Sequence, residues 1–303
     1  MVLKALGWLL VPALGLLELG GHFYYSGRPP KLDEWRLVRR EVAEVRRNAE
    51  LVVIAPDWAE PNARYAFGDA LMPLSDVGRA DESARARAIE VSILGASAPE
   101  LSGWTVASEK RAGKFRIRVL LNPHPAAVTY DFVDHVADAE VADVRGGAVT
   151  PCPWDPQARK SAGGLHGDPA FPGRRHQCAG DSHFVGVTVI EDKGWRGRRC
   201  LWASPSSTTT LSIRYHDVPV GHVIRGYGAT PWWVERELRG GPIEVTVLVG
   251  GDTIGKYVQR AGDSWKLFEL PVPASASPHA DVEFRVESPH GRERQFCLQA
   301  DTR

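Results

Sequence analysis

Leu211-Ser212-Ile213-Arg214-Tyr215 and Val282-Glu283-Phe284-Arg285-Val286 decide the fold, because in both every second residue is apolar and the residues between are polar. Side chains alternate between the two faces of a β-strand, so this period buries one face and leaves the other in water. Working outward, the same kind of run recurs nine times: at about residues 183–190, 199–203, 209–216, 222–226, 243–249, 256–260, 265–270, 282–286 and 295–299. The runs are rich in Val, Ile, Thr, Phe and Trp, with Gly, Pro, Asp and Ser between them, which predicts an antiparallel β-sandwich. Gly250-Gly251-Asp252 reads as a hairpin turn within this set rather than as a phosphate-cradling loop.

Upstream the pattern changes. After Pro29-Pro30, residues 32–49 place Trp35, Val38, Val42, Val45 and Ala49 at spacings of three and four, which predicts an amphipathic helix. The wholly apolar run Leu51-Val52-Val53-Ile54-Ala55 follows and predicts a buried strand, with further strands at 88–94, 104–108 and 115–121. Residues 31–150 therefore read as a small α/β domain. Between 151 and 180, Pro151, Pro153, Pro156, Pro169 and Pro172 stand among glycines without periodicity, as in a stapled linker.

The N-terminus is apolar from Ala5 to Leu17 and, past Glu18, again to Tyr25. Counted to Tyr25 it reaches bilayer-spanning length, and no A-x-A site follows its core, so it reads as an uncleaved signal anchor; the alternative is a secreted chain after signal cleavage. Cys152, Cys178, Cys200 and Cys297 contain no C-x-x-C spacing, which disfavours zinc, and behind an export-like segment they predict two disulfides, Cys152–Cys178 and Cys200–Cys297. The expected location is a bacterial inner membrane, crossed once, with the bulk of the chain in the periplasm.

Lys+Arg and Asp+Glu are equal at 37, so nothing points to nucleic acid, which needs a concentrated basic surface. The arginines Arg36, Arg39, Arg40, Arg46 and Arg47 alternate with Asp33, Glu34, Glu41, Glu44 and Glu50, as on an ion-paired helix face. No cofactor motif and no metal-ligand set is present. His216 and His222 flank Asp217 without a third ligand.

Candidate sites are two. Trp232 and Trp233, with Tyr227, Arg225 and Glu235, lie between two predicted strands, and an aromatic face beside charged groups suits a sugar ring. In extended chain the two tryptophans would point opposite ways, leaving one for a ligand. Asp57, Trp58, Glu60, Arg64 and Asp69 follow the carboxyl end of the apolar strand, the edge where open α/β sheets place ligands, and form the alternative site.

Three resemblances are carried by particular residues. Gly180-Asp181-Ser182-His183 resembles the nucleophile block of SGNH hydrolases, but Arg174-Arg175-His176-Gln177-Cys178 is no hydrophobic strand and no D-x-x-H follows, so a turn entering a strand is the reading and no catalytic residue is assigned. The stretch carrying Ile243-Glu244-Val245-Thr246-Val247, Gly262-Asp263-Ser264-Trp265-Lys266, Ala280-Asp281-Val282-Glu283-Phe284 and Arg294-Gln295-Phe296-Cys297 resembles a galactose-binding-like jelly roll, the fold of many carbohydrate-binding modules. The apolar segment, helix and Leu51-Val52-Val53-Ile54-Ala55-Pro56 are similar to the soluble domain trailing the membrane core of lipid-linked-sugar glycosyltransferases, whose multi-span core this sequence lacks.

The expected architecture is thus α+β: an anchor and juxtamembrane segment at 1–30, an α/β domain at 31–150, a linker at 151–180 and a jelly-roll sandwich at 181–303. The expected function is a non-catalytic envelope protein binding glycan or a protein partner through the sandwich and tethered to the membrane. The alternatives are an envelope enzyme acting on a polar or glycan substrate at Asp57–Asp69, and a structural subunit of an envelope complex.

Overall fold

A computed structural model describes residues 11–22, 29–47, 50–158, 172–178, 183–237, 241–290 and 295–303. The chain divides into two units, one comprising Met1–Asp76 and Arg85–Pro125, the other Val77–Ala84 and Ala126–Arg303.

The first unit is a four-stranded sheet of β1 (Leu51–Ala55), β2 (Arg87–Ile93), β3 (Thr105–Ala112) and β4 (Phe115–Leu121) in the order β1-β2-β4-β3. β1 and β2 pair in parallel, as a buried all-apolar strand followed by a crossover demands, while β3 and β4 form an antiparallel hairpin. The helix α1 (Leu32–Val45) buries Trp35, Val38 and Val42, and the Trp35 ring meets Phe115 edge-on at 4.7 Å. Its acidic residues do not all face water: Glu34 pairs with Lys114 and Glu41 with Lys110 on the β3–β4 hairpin. Glu90 on β2 is fully buried, and Arg118 clasps it with bonds of 2.7 and 2.8 Å while the Ala98 N–H donates at 3.0 Å. A second helix, α2 (Glu60–Phe67), follows the turn Asp57–Ala59.

The second unit is a β-sandwich. Its strands are β5 (Tyr130–Asp131), β6 (Glu140–Arg145), β7 (Ala148–Pro151), β8 (Trp154–Asp155), β9 (Arg175–Gln177), β10 (Phe184–Glu191), β11 (Gly197–Ala203), β12 (Thr210–Pro219), β13 (Val223–Ala229), β14 (Ile243–Val249), β15 (Asp252–Gln259), β16 (Lys266–Pro271), β17 (His279–Glu287) and β18 (Cys297–Thr302). One sheet runs β16-β13-β18-β11-β10-β9-β8 with β5 beside β18, and the other runs β15-β14-β17-β12-β6-β7. All nine predicted runs are strands of these sheets.

Register follows the alternation of apolar and polar residues. Leu211, Ile213 and Tyr215 of β12 stand opposite Val286, Phe284 and Val282 of β17, and all six are buried in the core between the sheets. Phe132 packs edge-on against Tyr215 and Phe284 at 4.9 Å, and the buried Tyr215 hydroxyl donates to the Phe132 carbonyl. Among the outward members of the same strands, Ser212 and Arg214 donate across the pair to Glu283, which also accepts from Arg285 of its own strand. Gly250 and Gly251 form the β14–β15 hairpin with φ of +60° and +92°, a region that favours glycine.

Two disulfides, Cys152–Cys178 and Cys200–Cys297, tie the sandwich. The expected boundary at 150 does not coincide with the contacts: β6 and β7 lie before it yet pair into the sandwich sheet, because Val141 and its neighbours complete the hydrogen bonding of β12. The expected linker at 151–180 likewise contributes β8 and β9, held beside β10 and stapled by Cys152–Cys178.

The expected anchor has only partial counterpart. Residues 11–22 are helical, and among the described residues no helix is long and apolar enough to cross a membrane; residues 1–10 and 23–28 lie outside the described set.

Candidate functional site

The sequence-predicted aromatic group separates into two places. Trp232 and Trp233 are not on an extended loop. They open a short helix, α3 (Trp232–Glu237), started by Pro231, whose carbonyl accepts from the Val234 and Glu235 N–H groups. Adjacent residues of a helix do not point to opposite sides as they do in a strand, and the two indoles meet edge-on, their centroids 6.1 Å apart and their planes at 88°. Glu235 faces inward and is 1% exposed, its carboxylate accepting from the Thr230 hydroxyl at 2.5 Å, from the Gly262 N–H and from Gln259. It anchors the helix and is not available to a ligand.

Arg225 and Tyr227 are on β13 and are consumed by the chain itself. Residues 77–84 lie across this sheet, and Asp81 Oδ2 accepts from Arg225 Nη2 and from the Tyr227 hydroxyl, both at 2.7 Å. Tyr227 stacks on Trp265 with rings 3° from parallel, Trp265 donates to the Ala80 carbonyl, and the Arg198 guanidinium lies over the Trp265 ring, 5.4 Å from its centroid. Burial pushes the Asp81 carboxyl up, but hydrogen bonds from Ser83, Tyr227 and Arg225 outweigh it and hold the group at about 2. Beside that carboxylate the Tyr227 hydroxyl, already raised by burial, is raised further.

What Trp232 does face is a residue the sequence reading passed over. The β10–β11 hairpin turns through Asp192-Lys193-Gly194-Trp195, where buried Asp192 accepts from the Gly194 and Arg196 N–H groups and from Arg198 Nε. This side-chain-to-backbone turn holds Trp195 at φ +63°, the left-handed region, which costs a bulky residue about 1–2 kcal/mol. Trp195 is 64% exposed, yet its ring lies 4.4 Å from that of Trp232, inclined by 36°. The two indoles, with Lys193, Glu235 and Arg236, line a cleft of about 470 Å³, within the range of small-ligand sites. The signal in the sequence was an Asx-type turn with a tryptophan outside the strand alternation.

The alternative site does not converge. Asp57 and Trp58 stand exposed in the turn before α2, Trp58 by 56%. Arg64 bonds Asp69 at 2.9 Å and the Met72 carbonyl, which leaves no cluster of carboxylates around a common point. Gly180, Asp181 and Ser182 of the GDSH stretch lie outside the described residues; His183 pairs with Asp143, its Nε2 2.9 Å from both carboxylate oxygens. His216 is exposed between Asp281 and Glu140. Among the described residues, the grouping of Asp143 with Cys152 and Cys178 has both sulfurs in a disulfide, so it offers no thiolate to a metal.

A second concavity, on the outer face of the β12–β17 sheet, is lined by Ser212, Arg214, Glu283 and Arg285 among others. Its polar groups satisfy each other: burial raises Glu283, but Arg285, Ser212 and Arg214 together hold it at about 2. It is a closed ion-pair network.

No family model matches the chain, and no curated protein matches it. Among solved structures it is similar to the CBM51-2 and INT domains of Clostridium perfringens ZmpB, at 8% identity and a TM-score of 0.27 over 39% of this chain and 26% of that one. It is also similar to the CBM51 of Clostridium perfringens GH95 in complex with methyl-galactose (6% identity, TM-score 0.25, 39% of this chain and 77% of that one). A third is the CBM36-1 domain of a multidomain xylanase from the hindgut metagenome of Trinervitermes trinervoides (14%, 0.23, 40% and 86%). All three have TM-scores below 0.3. Fold and site together define a disulfide-tied β-sandwich carrying an exposed aromatic cleft.

Proposed function

We propose that this protein is a non-catalytic binding protein whose sandwich holds a sugar ring in the Trp195–Trp232 cleft. The observation that carries the reading is Trp195, kept two-thirds exposed in a strained backbone conformation against a second indole. Leaving so large an apolar ring in water forgoes about 2 kcal/mol of burial, and an exposed indole face suits the C–H face of a pyranose. The turn that presents it is braced by buried Asp192, so the platform is organised before a ligand arrives.

The two disulfides support a compartment outside the cytoplasm, and the apolar N-terminal segment supports attachment of the chain to a bacterial membrane. Titration of the protein on an oligosaccharide array, followed by calorimetry on the best binder, tests the reading. Trp195→Ala and Trp232→Ala should each abolish binding while the far-ultraviolet spectrum of the sandwich is unchanged. Binding that survives both substitutions, or the absence of any glycan ligand, overturns it. A protein ligand lost with Trp195 would make the cleft a docking site of a complex instead.

A further inference from the structure

Resting on that reading of the cleft, we propose that its ligand is an acidic glycan, one whose ring carries a carboxylate, sulfate or phosphate. Three charged side chains border the cleft: Lys193, Glu235 and Arg236. Glu235 is turned into the sandwich, where Thr230, Gly262 and Gln259 take up its oxygens, so it presents no acceptor to the opening. Lys193 and Arg236 are exposed, and among the described residues neither has a hydrogen-bonding or ion-pairing partner.

Several cations elsewhere in the sandwich are matched, namely Arg198 with Asp192, Arg214 and Arg285 with Glu283, Arg225 with Asp81, and Lys256 with Glu244, whereas exposed Arg145 and Arg260 have no ion pair among the described residues. The cleft therefore combines an apolar aromatic floor with two unmatched cations and no free anion. A neutral sugar would use the floor alone. A sugar carrying an anion would stack on Trp195 and place its charged oxygens against the guanidinium fork of Arg236 and the ammonium of Lys193.

The test uses the full chain and four probes by calorimetry: a hexameric oligogalacturonide, its carboxyl-reduced neutral counterpart, a sulfated oligosaccharide and a phosphorylated one. At low ionic strength at least one acidic probe should bind about tenfold more tightly than the neutral one, the worth of one charge-assisted bond. That preference should shrink in about 0.5 M salt, where charges a few ångströms apart in water are screened. Lys193→Ala/Arg236→Ala should bring the ratio of acidic to neutral affinity to about one, and the three acidic probes tell which anion is recognised. Equal affinity for neutral and acidic probes overturns this inference while the aromatic cleft stands. Acidic binding that persists in Trp195→Ala is ion exchange and overturns both, as does the absence of binding by every probe.

Discussion

Asp81 and Arg225 are joined by two hydrogen bonds, of 2.7 and 3.2 Å, across 144 residues of sequence. Both side chains are more than four-fifths buried, and the Tyr227 hydroxyl donates to the same carboxylate oxygen. Removing the acid leaves a guanidinium and a phenol without their acceptor, although Glu269 still neutralises Arg225. Asp81→Ala should therefore destabilise the sandwich by about 2 kcal/mol, and Asp81→Asn by about half that, since an amide oxygen still accepts. Urea unfolding followed by tryptophan fluorescence, to which Trp265 reports locally, checks the order. Equal losses in the two variants would show that charge contributes everything and hydrogen bonding nothing.

Acid should unfold the sandwich through two carboxylates in particular. Asp81 and Glu283 both titrate at about 2 in the folded chain, whereas ordinary carboxylates titrate near 4. Folded-state values below the unfolded ones give stability that is complete above about pH 4 to 5 and is lost as the pH falls toward 2. The urea midpoint should be flat between about pH 5 and 7 and drop below pH 4. An Asp81→Asn/Glu283→Gln variant should start lower and drop less steeply. A variant with the slope of the parent would place the acid sensitivity elsewhere.

Opening the disulfides should rank by loop length. Cys200–Cys297 closes a separation of 97 residues and Cys152–Cys178 one of 26. On the chain-entropy account their loss costs about 4–5 and about 3–4 kcal/mol respectively. Paired Cys→Ala variants, compared by thermal unfolding, give the ranking; the reverse order would mean that local packing around Cys152 outweighs loop entropy.

Glu90→Ala should be the most damaging single change in the first unit. Its carboxylate is wholly buried, and the substitution strands Arg118 as well as the Ala98 N–H. Breaking a buried pair from one side costs about 3–5 kcal/mol. Hydrogen exchange should show β1, β2 and β4 losing protection while the strands of the sandwich core retain theirs. Equal loss in both units would show that they unfold together.

Much of the fold was legible. Alternation in Leu211–Tyr215 and Val282–Val286 placed both strands and the face each buries, and the even cysteine set gave both pairings. Residues 126–150 were hidden because Val141, Ala142 and Val144 on a short strand carry too few alternations to declare a sheet. In the cleft, Trp232 was visible as an aromatic beside charge, but its direction was misread. Two adjacent tryptophans suit a strand or a helix, and Pro231 starts the helix only because Glu235 has partners at Thr230, Gln259 and Gly262 to hold it.

The sequence by itself determined that an alternating chain with export-like features forms a disulfide-tied sandwich, because period-two patterning and covalent pairing are local or nearly local properties. Tertiary structure decided which polar groups remain free. Arg225, Tyr227 and Glu235 look like ligand groups in the sequence, yet Asp81, Gln259 and Gly262 claim them from far along the chain. Trp195, Lys193 and Arg236, unremarkable in the sequence, are left facing solvent together because the β10–β11 hairpin and α3 end at the same place. Partner saturation is a property of contacts between distant residues, and composition carries no record of it.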